Sequence, residues 1–130
     1  MDLMKQFASN EQLEVEGTWC ELGDASVLVA REGNKAYRKV MSKLYEKNRA
    51  LLDKKNDAAE AKAEEITIEA MATTILLNWE GMEFDGQPFP YSTDNAVKVL
   101  AMRDFREVIS GYSRDFDRYR LVQEQEALGN

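Results

Sequence analysis

The 130-residue chain contains no histidine, one cysteine and two prolines, and these absences narrow its chemistry before any pattern is read. Without His the usual general base, the commonest metal ligand and the Ser-His and Cys-His nucleophile pairs are gone, so an enzyme is not expected. Cys20 has no second thiol to pair with, which excludes a disulfide scaffold and suits a reducing compartment; it reads as a small apolar residue. The opening residues MDLMKQFASN are too short and too polar for a secretion signal, and no uninterrupted apolar run approaches membrane-spanning length. A soluble chain that stays in the cytoplasm and does not engage membranes is the expectation.

Acidic charge is plentiful. The net charge of -7 argues against nucleic acid as a partner. Its distribution is uneven: Asn34 to Lys55 carries eight bases and two acids, whereas the segments before and after it are acidic. The most apolar stretch is Ile66 to Tyr91. Its first part, through Trp79, places Ile66, Ile68, Ala70, Met71, Ala72, Ile75, Leu76 and Leu77 around nearly the whole circumference of a helical turn. Such a helix needs cover on several sides. Asp85-Gly86, Pro88 and Pro90 then make a loop that cannot be helical, and Met82, Phe84, Phe89 and Tyr91 keep it apolar.

Around this centre the remaining elements follow in order. Gln12 to Val29 reads as a β-hairpin turning at Gly23-Asp24, with Leu22 opposite Ala25, Cys20 opposite Val27 and Thr18 opposite Val29. Trp19 and Leu28 then meet on the other face, and Gly17 is a candidate bulge. A lone hairpin is marginal, so it must dock on helices or extend through another subunit. Asn34 is a candidate N-cap for an amphipathic helix to about Asn56, whose outer surface carries Arg38, Lys39, Lys43 and Lys47. Asp57 is a candidate cap for the helix that runs on through the apolar stretch to Trp79. Ser92 caps a short helix ending near Leu100, and a last helix from about Asp104 lines up Phe105, Val108, Ile109, Tyr112, Phe116 and Tyr119. Residues 1–10, where Asp2 to Phe7 either form one helical turn or stay loose, and 121–130 read as loose ends of one domain. The fold expected is mainly α (α+β): an N-terminal β-hairpin followed by about four helices packed around a central apolar helix.

No phosphate-binding glycine loop, paired-cysteine motif, zinc-protease motif or nucleophile elbow is present. Of two carboxylate groups, Glu60 with Glu64 and Glu65 reads as the solvated N-terminal turns of a helix, and Glu80 with Glu83 and Asp85 lies in a loop that lacks the spacing of a calcium-binding loop, so no metal and no cofactor is expected. The residues singled out are candidates for contact with other molecules: Trp19 and Leu28 on the hairpin, the basic set Arg38, Lys39, Lys43 and Lys47, and Phe84 and Phe89 in the aromatic loop. That loop is either a lid over the domain's own core or an exposed anchor.

The segment NWEGMEFDGQPFPYSTDNAVKVL, with Trp79-Glu80-Gly81, Gly86, Pro88, Pro90 and Tyr91-Ser92 before an apolar helix ending at Leu100, resembles the later part of the tail assembly chaperones of long-tailed bacteriophages. The hairpin followed by GNKAYRKVM and the Phe/Tyr/Arg-rich stretch from Phe105 to Tyr119 are similar to that family as well. The resemblance implies a non-enzymatic protein, made in the cytoplasm of the infected host and absent from the virion. It would bind the tape measure protein, keep it soluble and promote tube polymerisation around it. It also implies a frameshifted longer form that recruits the tail tube protein. The rival expectation is a structural tail or neck component of the particle. Independently of the family, one small domain cannot coat a long client, so self-association into a ring or spiral is expected, with the hairpin face and the basic helix as its contacts.

Overall fold

In a computed structural model, which describes residues 1–121, the central apolar segment is divided between two kinds of structure. Helix α5 (Asp57–Thr74) stops before the apolar run does, and Leu76–Glu80 forms a strand, β3. It pairs antiparallel with the second strand of the hairpin, so β1 (Thr18–Leu22), β2 (Ala25–Val29) and β3 make a three-stranded sheet with β2 in the middle. A second, two-stranded sheet, β4 (Glu83–Phe84) with β5 (Gln87–Pro88), occupies the loop that follows.

The expected mainly α fold is therefore corrected to a mixed α/β architecture of seven α-helices and two antiparallel sheets among the described residues. The physical reason lies in Ile75 to Trp79. A short apolar run looks alike whether it is the end of a buried helix or a buried strand. The sheet wins because the hairpin needs an edge partner and β3 supplies it from within the chain. The Ala30 N–H donates to the Ile75 carbonyl at 2.8 Å, next to the Val29 and Leu76 pair. A register shift between Leu28 and Val29 absorbs Leu77 and brings Asn78 opposite Leu28.

The hairpin itself has the expected register, Thr18 with Val29 through Leu22 with Ala25. Its inner face, Cys20, Val27 and Val29, is buried. Its start differs: Glu11–Glu16 is a helix, α2, capped by Asn10, and Gly17 ends that helix at φ +85° instead of forming a bulge. Residues 1–10, read above as a loose end, contain helix α1 (Leu3–Phe7) with Asp2 as its N-cap. They are tied to the far end of the described chain by Asn10 N–H to Tyr119 O (2.8 Å) and Leu121 N–H to Ala8 O (3.1 Å). The expected loose end at 122–130 lies outside the described residues.

The basic helix is interrupted: α3 (Lys35–Lys47) ends where the Asn48 side chain donates to the Leu44 carbonyl at 2.8 Å, and a single turn, α4 (Arg49–Leu52), follows. Asn34, nearly buried, caps α3 by accepting from the Tyr37 N–H at 3.0 Å and donates to the carbonyls of Arg31 and Thr74, which joins the hairpin exit to the end of α5. Asn56, one residue before the expected Asp57, caps α5. Ser92 caps α6 (Thr93–Leu100) as expected. The last helix is shorter than its aromatic stripe, with α7 (Arg103–Ser113) giving way to a 3₁₀ turn at Phe116–Tyr119.

The core forms where α5, α6 and α7 meet the inner face of the sheet: Val27, Val29, Met71, Ile75, Leu76, Trp79, Leu100 and Ile109 are all buried there. Each large aliphatic side chain in it contributes roughly 1.5–3 kcal/mol. The end of β2 is fastened by side chains from the C-terminal part. The Tyr119 hydroxyl donates to Val29 O at 2.8 Å and the Ser113 hydroxyl to Ala30 O at 2.9 Å. No helix among the described residues is long and apolar enough to cross a membrane.

Candidate partner-binding surfaces

The aromatic loop is closed over the core. Trp79 is buried, its indole N–H donates to Phe89 O at 2.7 Å, and its ring stacks on Phe89 at 5.5 Å and meets the edge of Tyr91 at 4.9 Å. The Tyr91 hydroxyl donates to Leu76 O. Phe84 packs on Phe89 at 5.1 Å, and the Lys98 ammonium lies 4.3 Å from the Phe84 ring centre. Both Phe84 and Phe89 are half-buried, so the loop is built as a lid whose outer surface a lysine covers.

The basic residues fall as the periodicity implies. Arg38, Lys39, Lys43 and Lys47 are all exposed on α3, and together with Lys35, Ser42 and Glu46 the first three line a shallow open trough. Two of the trough's charges are paired, Lys35 with Glu11 at 3.4 Å and Glu46 with Arg49 at 2.9 Å. Arg38, Lys39, Lys43 and Lys47 form no ion pair with a described carboxylate. A block of like charge on an acidic protein persists there, attracting acidic surfaces.

The sheet presents its other face to solvent. Cross-strand partners share a face, so Trp19, Leu28 and Asn78 form one row and Glu21, Ser26 and Glu80 the next. Trp19 is 47% exposed, and Glu21 and Glu80 are exposed at either end of their row. The hairpin residues expected here, Trp19 and Leu28, do meet; the sequence reading puts Glu80 in a loop, whereas as the last residue of β3 it joins Glu21 in flanking them.

A third surface was missed in the sequence. Helix α1 has no buried residue; Leu3, Met4 and Phe7 are 67%, 68% and 58% exposed, and Phe7 stacks on the exposed Phe116 at 6.2 Å. Beside the two rings is a cleft of about 250 Å³ with Arg31, Arg114 and Arg120 in its lining. These guanidiniums are held by Glu14, Glu32 and Asp117, so the cleft is close to neutral. A terminal stretch of seven residues was too short to show a period, though its Leu, Met and Phe content was a signal.

The carboxylates weighed as ligands are dispersed into ordinary roles: Glu65 pairs with Lys62 at 3.0 Å and Glu64 with Arg106 at 3.9 Å. Among the described residues no group of three or more carboxylates or thiols converges closely enough to hold an ion. Burial pushes the Cys20 thiol up from its ordinary range, away from thiolate chemistry.

Against known families, residues 32–130 match the family described as YdaY prophage protein. No curated protein and no solved structure matches the chain.

Proposed function

The chain belongs to the YdaY prophage protein family, and from that premise we propose that it is a tail assembly chaperone. It binds the tape measure protein in the host cytoplasm, keeps it soluble while the tube polymerises around it, and leaves before the particle is complete. The tail tube protein is the second proposed partner, reached through a longer frameshifted form. The action is binding alone, with no bond made or broken by the protein.

The observation that supports this reading best is the apolar surface of α1 with Phe116. Large side chains that the described residues leave uncovered mark a place where another molecule sits. A helical client can lay its apolar stripe across Leu3, Met4 and Phe7, and the near-neutral arginine cleft beside them does not select a strongly charged sequence. A client of many similar helical turns calls for that tolerance.

Co-expression with the tape measure protein of the same prophage tests it. The soluble fraction of the client rises with the wild-type chain and falls back with Leu3→Asp/Met4→Asp, while thermal unfolding of the double variant is nearly unchanged because both side chains are exposed and acidic residues suit the first turn of α1. A client whose solubility ignores the wild-type chain overturns the reading. So does mass spectrometry that finds the protein at structural copy number in finished particles, the result belonging to a tail or neck component.

A further inference from the structure

The outer face of the three-stranded sheet and the outer face of α3 are complementary, and neither is covered by the described chain. The sheet offers an aromatic and aliphatic pair, Trp19 with Leu28, beside a row that ends in Glu21 and Glu80. Those two carboxylates sit on the outer strands with Ser26 between them, so about 10 Å separates their backbones. Helix α3 offers bases at comparable spacing: Lys39 and Lys43 are one turn apart, and Lys39 to Lys47 spans about 12 Å along the axis. Lysine stems reach across the difference. Arg38 lines the same trough as Lys39 and Lys43 and supplies a guanidinium for Trp19 to stack on.

We propose that the outer sheet face of one copy docks on the basic α3 face of a second copy, so that the protein assembles head to tail. The occupant is chosen by charge. The sheet face is acidic with an apolar centre, α3 is the basic block of a chain whose net charge is -7, and the two belong to the same molecule. A contact between two different patches repeats from copy to copy, giving a ring where the rotation closes and a spiral where it does not. The proposal is independent of the client reading, since it concerns different residues and needs no second protein.

Sedimentation velocity on the full chain tests it with two charge reversals, Lys39→Glu/Lys43→Glu on the helix and Glu21→Lys/Glu80→Lys on the sheet. Wild type is expected to show mass rising with concentration and falling as salt is added. Each variant alone has like charges facing each other and associates at least tenfold more weakly. An equimolar mixture of the two restores association, because the reversed helix of one now fits the reversed sheet of the other, and the two unchanged faces fit each other. The recovery also proves that both variants are folded. Wild type that is monomeric at every concentration overturns the proposal, as does a variant that assembles like wild type or a mixture that stays dissociated.

Discussion

Replacing Tyr119 by Phe removes a single hydroxyl from the centre of the fold, and the consequence can be worked out at two pH values. Tyr119 is fully buried; its hydroxyl donates to Val29 O at 2.8 Å, and burial pushes its pKa up to about 12. At neutral pH the phenol is protonated in both states, so Tyr119→Phe costs only the hydrogen bond and the polar atom left behind, about 1–3 kcal/mol. The unfolded chain ionises near the ordinary value of about 10. Because the folded pKa is raised, the stability tied to protonated Tyr119 is complete below pH 10 and is lost as pH climbs toward 12. At pH 11 a two-unit shift removes about 1.4 kcal/mol from wild type and nothing from the variant. Tyr37 and Tyr91, whose pKa values burial also raises, are present in both proteins and cancel. Urea unfolding of the pair at pH 7 and pH 11 measures the difference. The stability gap should narrow by about 1.4 kcal/mol at the higher pH. A gap that stays constant would mean that Tyr119 is not buried against the end of β2, and the account of how the C-terminal part fastens the sheet would fail.

Two further outcomes are expected. Gly17→Ala should lower stability by ~1–3 kcal/mol in thermal or urea unfolding, because φ +85° strains any side chain and the new Cβ would stand 3.0 Å from the Val29 carbonyl; Gly23→Ala, with open space around it, should cost less, and the reverse order would show that the α2 exit is wrongly described. Cys20, 2% exposed with a thiol pushed up by burial, should react with a thiol reagent only as fast as the protein opens. Reaction at the rate of a free thiol in native buffer would contradict the packing of the hairpin's inner face.

The parts of the fold legible in sequence were those fixed by local chemistry. The hairpin register follows from a two-residue turn and alternation, and the caps at Asn34 and Ser92 follow from side chains that accept from a backbone N–H three residues on. What was not legible depended on distant partners. Nothing in Leu76 to Glu80 alone says that β2 has an open edge about 50 residues earlier for it to fill. The break at Asn48 is equally non-obvious, since Asn tolerates a helix interior until its side chain captures the Leu44 carbonyl.

The candidate site inherited both halves of this. Trp19 and Leu28 could be set side by side from alternation, and the basic stripe of α3 from a period of 3.6. Glu80 could join them only after β3 existed as a strand, so the error that lost the third strand also concealed the acidic flank that makes the sheet face complementary to the helix. The α1 surface fails differently. Burial is a property of what the chain places nearby, and Leu3, Met4 and Phe7 look the same in sequence whether they enter a core or are left for another molecule. An uncovered apolar helix is visible only once the rest of the described chain has found its own partners and left this one without.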